Sequence, residues 1–428
     1  MRLRFLPPAN VSLAFSSSVI WIIAALTVLA ILIRPKNWPE AVWPVIGATL
    51  LVVFRLLGPG DAFAAVRQGT SVYLFLAGMM LLAELARRQG LFAYLASHAV
   101  DAAKGSRARL FLLVYLVGVV VTALLSNDAT AVVLTPAVYA AVKKTGAPVL
   151  PYLLICAFVA NAASFVLPIS NPANLVIFGR QMPPLPEWMK TFTLPSILAI
   201  ATTYLLLRLL HRNPLRGGID RDPSSGALSC SGQAVGYGIL VSAVALLVAS
   251  AFHRDLGVAT FLAAVLVFAA VLRLEPAAFV PVIGDIAWSI LPLVAGLFVI
   301  VRALDHTGAI AGAHQGLHDL ESMWPVAGAL VASFSAAILS NIANNLPVAL
   351  LAGNAVQDHV PRLLRHALVI GIDLGPNFSI TGSLATILWL IAIRREGETV
   401  GFWQFLRLGV MITTPALLLA TCALLLNA

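Results

Sequence analysis

Charge is what this sequence has least of. Of 428 residues only 11% are Asp, Glu, Lys or Arg, while 60% are hydrophobic, against roughly a quarter charged in ordinary soluble domains. A soluble globule could not hydrate a surface so poor in charge, so soluble-enzyme readings drop out. Cysteine is scarce too. The three present, Cys156, Cys230 and Cys422, are too scattered for a disulfide framework, a thiolate metal site or a redox role. No G-x-x-x-x-G-K-[ST] loop occurs, so any ATP hydrolysis would come from another protein. Acidic residues number 18 against 27 Lys and Arg, a net charge of +9. The cations sit at the ends of apolar runs, where they set membrane orientation rather than contact nucleic acid.

Long apolar runs are abundant. The opening MRLRFLPPANVSLAFSSSVIWIIAALTVLAILIRP has a basic start but no small-residue cleavage site before Arg34, and reads as a retained span. Stretches able to cross a bilayer, which takes about 20 helical residues, lie at 17–33, 41–57, 70–86, 148–180 and 193–210. After a polar linker at 211–233 they recur at 234–252, 257–273, 286–304, 361–393 and 403–426. The chain is predicted to be an all-α polytopic membrane protein with about ten transmembrane helices. Two further apolar segments, 108–142 and 325–356, are interrupted by SNDAT and SNIANN. A straight lipid-facing helix there would leave polar groups in hydrocarbon, so each is expected to be a re-entrant hairpin, with tips at Ser126-Asn127-Asp128 and Ser340-Asn341. The spans at 148–180 and 361–393 exceed one crossing and contain VLPISNPANL and DLGPNFSITGS, which marks them as broken helices.

The two halves, 1–210 and 234–428, repeat each other. Gly78 and Gly296 are 218 residues apart, as are Gly90 and Gly308; Ser126 and Ser340 differ by 214, and Ser170 and Thr381 by 211. Five spans per half is an odd number, so joined copies face opposite ways, the inverted-repeat plan of secondary transporters. On this arrangement 17 of the 27 Lys and Arg residues fall on the linker's side, which places the linker in the cytoplasm and both termini outside. Segment 88–107, with Leu91, Phe92, Leu95 and Val100 on one face, is expected to lie along the inner surface, and its counterpart 306–320 along the outer one.

Only Glu84, Asp128 and Asp373 among the acids fall inside apolar segments, where a charge costs roughly 2.5 to 3.5 kcal/mol or more. Glu84 lies near the end of its span and can snorkel to the interface, a structural role; its repeat mate is Arg302. Asp128 and Asp373 belong near mid-membrane. Each could cap a half-helix, but with no Lys or Arg at that depth each is either protonated or balanced by a moving cation. They are the candidate proton carriers. Eight of thirteen asparagines, Asn161 among them, gather at the tips and breaks, where an amide both donates and accepts. The candidate substrate-binding set is Ser126, Asn127, Asn171, Asn174, Ser340, Asn341, Asn344, Asn345, Asn377, Thr381 and Ser383. The competing reading is that such residues merely satisfy backbone groups freed where helices stop. Pro136, Pro168, Pro172, Pro347 and Pro376 keep the breaks open. Cys156 reads as packing. His306, His314, His318 and His366, without metal-ligand spacing, read as solvated or interfacial.

At SNDATAVVLTP (126–136), SNIANNLPVALLAGNA (340–355) and GIDLGPNFSITGSLATILWL (371–390) the chain resembles the arsenical pump membrane proteins, arsenite/antimonite efflux permeases of the ion transporter superfamily. The resemblance runs over nearly the whole chain. It implies hairpins and broken helices like those above, and export of the neutral trihydroxide of arsenic(III) or antimony(III) across the cytoplasmic membrane. Export would be in exchange for protons, or driven by a separate soluble ATPase subunit. It implies no cofactor and no enzymatic activity. Dicarboxylate members of the superfamily typically carry Ser-Asn-Thr at both tips, whereas here Asp128 follows Asn127 and would repel an anion. The runner-up is a sodium- or proton-coupled carboxylate transporter, needing cation coordination by tip carbonyls and hydroxyls. An intramembrane aspartyl protease would need a GxGD-type motif, and Asp373 sits in GIDLGP. A passive channel fits repeated broken helices less well than a gated carrier.

Overall fold

With no water to hydrogen-bond the backbone, a chain this apolar can cross a bilayer only as helices, and helices are what it forms. The computed structural model describes residues 8–220, 226–323, 325–356 and 360–426. The first seven residues, and 221–225 of the linker, lie outside the described residues. The first half contains α1 (Pro8–Ile33), α2 (Val42–Val53), α3 (Thr70–Arg88), α4 (Arg107–Leu124), α5 (Thr135–Lys143), α6 (Leu150–Ala162), α7 (Pro172–Phe178) and α8 (Leu185–Leu210). The second contains α9 (Cys230–Ala251), α10 (Leu256–Leu274), α11 (Ile290–His306), α12 (Pro325–Ala343), α13 (Asn345–Ala355), α14 (Arg362–Leu374), α15 (Leu384–Arg395) and α16 (Phe402–Leu426). Four shorter helices, Pro59–Gln68, Leu91–Ala102, Phe279–Asp285 and Ala309–Met323, connect them. Among the described residues there is no strand, only an isolated bridge between Ser106 and Gly218.

Among the described residues eight helices are long and apolar enough to cross a membrane, so the chain is a multi-pass membrane protein. Seven match expected spans, and the eighth is α4, the first arm of the first hairpin. The broken spans are present as α6 with α7 and α14 with α15. The expected span at 41–57 is corrected: α2 has 12 residues, about 18 Å of helix. Arg55 at φ 56° and Gly58-Pro59 end it before it can cross alone.

The closest helix pairs join the two halves as well as elements within each. α3 packs on α10 and α2 on α11; α4 packs on α6 and α12 on α14; α7 packs on α13 and α15 on α5; α8 packs on α16. Small residues make the close crossings possible, as expected where lipid supplies no hydrophobic drive. A Cβ on Gly78 would stand 2.9 Å from the Thr260 backbone, and one on Gly296 would stand 2.6 Å from that of Pro44. The described part of the linker is pinned rather than loose: Ile219 N–H donates to the Gly105 carbonyl and Asp220 N–H to that of Thr145, both at 3.0 Å.

Glu84 is buried at the end of α3, but it is not alone. Arg87 bonds it through both carboxylate oxygens at 2.8 and 2.6 Å, Arg88 bonds it at 2.8 Å, and both arginines also reach Asp285. Arg302 pairs with Asp305 at 3.3 Å. Glu84→Ala would leave two guanidiniums sharing one exposed carboxylate, and we expect a loss of about 2 kcal/mol. The check is the thermal midpoint in detergent; an unmoved midpoint would show the cluster contributes nothing.

Candidate functional site

A chain that stops a helix inside a membrane must satisfy the amide groups at the new end. At the hairpins and breaks four helical segments start with a side-chain cap. The Ser126 hydroxyl accepts from Ala129 N–H at 3.2 Å in the segment leading into α5. Asn171 Oδ1 accepts from Ala173 N–H at 3.0 Å for α7, Asn344 Oδ1 from Leu346 N–H at 3.4 Å for α13, and Ser383 Oγ from Thr386 N–H at 3.1 Å for α15. All four starts meet at one cavity of about 50 Å³, lined by Asn127, Asp128, Asn171, Asn344, Asn345 and Ser383. Its opposite wall is apolar: Ile31, Leu76, Leu293, Val294 and Leu297 from α1, α3 and α11. The positive ends of four helix dipoles therefore face one small space. No Lys, Arg or His lines it.

The capping geometry corrects one expected tip. The second hairpin turns at Asn344, which has φ 71°, and not at Ser340-Asn341, which still belong to α12. Ser126 therefore matches Asn344, 218 residues on, the same offset as the two glycine pairs. At the breaks the caps Asn171 and Ser383 differ by 212, so the drift is a single step between hairpin and broken helix. Ser170 and Thr381 do play matching parts: Ser170 Oγ donates to the Ala123 carbonyl and Thr381 Oγ1 to the Asn341 carbonyl, each tying a break to its own hairpin.

Of the candidate binding residues, Asn127, Asn171, Asn344, Asn345 and Ser383 line the cavity with Asp128, and Ser126 caps beside it. The remainder hold the breaks in shape. Ser340 Oγ bonds the Ala336 carbonyl. Asn341 Nδ2 reaches the Ala337 and Gly375 carbonyls while its Oδ1 accepts from Ser379. Asn377, fully buried, donates to the Phe158 carbonyl and accepts from Asn161 at 2.9 Å. Asn174 donates to the Ser164 carbonyl at 3.1 Å.

The two acids Asp128 and Asp373 are placed differently. Asp128 is half-buried and lines the cavity, and no hydrogen bond or ion pair holds its carboxyl among the described residues. Asp373 is fully buried one residue behind the wall: Asn171 caps α7 with its oxygen and gives its nitrogen to Asp373 Oδ1 at 2.7 Å. Asn171 thus joins the cavity to Asp373. The apolar wall was not among the sequence candidates, since nothing distinguishes Leu76 or Leu297 from lipid-facing leucines in a periodic pattern. His366 is a correction as well. Rather than interfacial, it is buried one turn into α14, packed against Phe192 at 5.3 Å and Phe178 at 6.1 Å.

Beyond the cavity, a cleft of about 1030 Å³ opens past the far ends of α7 and α13, lined also by Arg67, Arg254, Asp255 and Arg365. The matching pair, α5 and α15, is tied at its far ends, where Tyr139 Oη donates to the Glu396 carbonyl at 2.9 Å and Lys143 to Tyr139 at 2.7 Å.

The citrate transporter family matches residues 15–393 of this chain. Two curated proteins similar to it are each named arsenical pump membrane protein. The one from Escherichia coli K12 is 27% identical over 94% of this chain and 97% of its own length, and that from Yersinia enterocolitica 26% identical over the same shares. The crystal structure of the Alcanivorax borkumensis YdaH transporter shares the fold, with a TM-score of 0.53 at 15% identity, covering 85% of this chain and 86% of that one.

Proposed function

The chain belongs to the citrate transporter family and is a membrane transporter; from that premise we propose that it exports neutral arsenite or antimonite across the inner membrane in exchange for protons. The observation that carries this reading is the cavity. At about 50 Å³ it has room for about four water-sized groups, the size of a trihydroxide on one metalloid atom and far below that of a tricarboxylate. Its polar wall offers oxygens and amides from Asn127, Asn171, Asn344, Asn345 and Ser383, suited to hydroxyl groups that donate and accept. Asp128 adds a carboxyl and no cation offsets it, which disfavours an anionic substrate. The names of the arsenical pump relatives support the same substrate.

The mechanism is alternating access between two inverted repeats, 1–210 and 234–428, across the cytoplasmic linker 211–233. The hairpins 108–142 and 325–356 and the broken helices 148–180 and 361–393 form the moving pairs. With the linker inside, the cleft past α7 and α13 faces outward, and the Tyr139–Glu396 tie closes the inner side. This conformation is the one in which Asp128 and Asp373 load protons from outside. After the switch they release protons inward and metalloid takes their place at Ser126, Asn127, Asn171, Asn344, Asn345 and Ser383. Asn174, Ser340, Asn341, Asn377 and Thr381 act behind that layer, keeping the breaks in the geometry that lets it form.

The test is arsenite uptake into everted membrane vesicles with protons more concentrated inside and no ATP. We expect accumulation that an uncoupler lowers at least tenfold. Uptake that appears only with ATP and an added soluble fraction would point to an ATPase partner. The family's own description favours the second reading, a sodium- or proton-coupled carboxylate transporter; citrate or succinate uptake without arsenite uptake would establish it and remove the first.

A further inference from the structure

The polar and the apolar lining of the cavity come from different elements. Every polar residue on it belongs to a hairpin tip or a break, whereas α1, α3 and α11 bring only apolar ones: Ile31, Leu76, Ile290, Leu293, Val294 and Leu297. The four from α11 are spaced i, i+3, i+4 and i+7, one face of that helix. The backbone of α3 and α11 adds no polar group. The first-turn amides of α11 are spent, Ile290 on the Ala287 carbonyl, Leu291 on that of Trp288 and Leu293 on that of Ser289, and residue 292 is a proline. Leu76 sits inside α3, where amide and carbonyl bond within the helix. Both helices are also fixed in place, α3 by the crossing of Gly78 on Thr260 and α11 by that of Gly296 on Pro44. On the polar side the tip amides keep donors. Asn344 Oδ1 caps Leu346, and its Nδ2 is buried without a partner among the described residues. Asn127 Oδ1 accepts from Asp128 N–H at 3.0 Å, which leaves its nitrogen for a ligand. The Asp128 carboxyl supplies an acceptor.

A hydroxide of trivalent arsenic or antimony has the same division. Its central atom keeps an unshared electron pair at the fourth corner of a tetrahedron, so three hydroxyls point to one side and a bare apex to the other. We propose that the apolar wall of α3 and α11 is the specificity-determining surface of this site: Leu76 and Val294 take the bare apex of a pyramidal trihydroxide and reject a neutral tetrahedral hydroxide. This rests on the metalloid reading above and adds the feature that tells a trivalent centre from a tetrahedral one. Both side chains are buried. They stand 218 residues apart, the separation of Gly78 from Gly296 and of Asn127 from Asn345, so each half contributes one amide at a tip and one apolar side chain opposite. A fourth hydroxyl set against that wall finds neither donor nor acceptor and loses the bonds it had in water. Asp128 already disfavours oxyanions through their charge; the wall discriminates where charge does not.

The probe is germanic acid, a neutral tetrahydroxide whose central atom is close to arsenic in size, so that it differs from arsenite by a hydroxyl in place of the electron pair. With the full chain reconstituted in liposomes, arsenite counterflow is measured against added antimonite or germanic acid. We expect antimonite to compete, and germanic acid to compete about a hundredfold less well than unlabelled arsenite, the discrimination an apolar pocket achieves against an added hydroxyl. Val294→Thr keeps the side-chain shape and exchanges a methyl for a hydroxyl. It should raise the apparent affinity for germanic acid about tenfold and make it a transported solute, while the affinity for arsenite falls. Val294→Ala adds room without a polar group and should not admit germanic acid. Should Val294→Thr fail to fold, Leu76→Asn brings the polar group from the other helix. Equal competition by germanic acid and arsenite in the unmodified protein overturns the proposal whatever the variants do. So does a folded, arsenite-active Val294→Thr or Leu76→Asn that gains nothing, and so does an equal gain in Val294→Ala, which would make size the filter. Absence of both arsenite and antimonite counterflow in the unmodified protein would instead remove the metalloid reading, and this proposal with it.

Discussion

Asp128→Asn is expected to lower proton-driven arsenite accumulation by about a hundredfold, equivalent to about 2.7 kcal/mol, while arsenite counterflow without a gradient survives. Asp128 is the one acid on the cavity wall, and its carboxyl has no partner among the described residues to neutralise it. An amide of the same shape still donates and accepts toward a hydroxylated solute, so binding and passive exchange persist. It cannot take up a proton, so the gradient no longer drives movement. Folding should be untouched, because Ser126 and not Asp128 caps the helix start. The measurement is gradient-driven uptake and counterflow in the same vesicle preparation. Accumulation at the original level would remove Asp128 as a proton carrier, and loss of both activities would make it a binding residue instead.

The large features of this fold are readable in the sequence because lipid leaves the backbone so few options. Length and apolarity place α1, α3, α8, α9, α10, α11 and α16, and Asn, Pro and Gly clusters place the hairpins and breaks. What the linear pattern could not decide is which residue of a polar cluster ends a helix. SNIANN offers Ser340, Asn341, Asn344 and Asn345 as turn points, and the outcome depends on which can take positive φ with its side chain capping the next turn; Asn344 does both. The same limit governs the site. Asn residues serve equally well as cavity lining and as backbone satisfiers, and only the fold separates Asn171, facing the cavity, from Asn377, closed in between Asn161 and Phe158. His366 departs from its sequence reading for a related reason: nearness to a span end in sequence says nothing of α7 and α8 bringing Phe178 and Phe192 over it.

The crossing of α3 and α10 is where the two halves lock, and Gly257→Ala should break it. A Cβ at Gly257 would lie 1.9 Å from the Ser71 carbonyl oxygen and 2.7 Å from its carbon. Backbone cannot rotate aside as a side chain can, so one helix must translate, at a cost of about 3 kcal/mol or more. The contact is also held by polar bonds that such a shift would stretch. Asp255 Oδ1 caps α10 through Val258 N–H at 2.9 Å and accepts from Ser71 Oγ at 2.8 Å. Leu76 on α3 and Leu297 on α11 line the cavity, so a displaced α3 would open its apolar wall even in protein that survives. We expect Gly257→Ala to lose most folded, monodisperse protein in detergent extracts. Gly284→Ala is the matched control. Nothing lies within 4 Å of a Cβ there, and the exchange should be neutral or stabilise by about 0.5 to 1 kcal/mol through helix propensity. If both variants are recovered in equal yield with equal thermal midpoints, the α3–α10 crossing has the slack that this geometry denies it, and the cavity wall is not fixed by glycine packing.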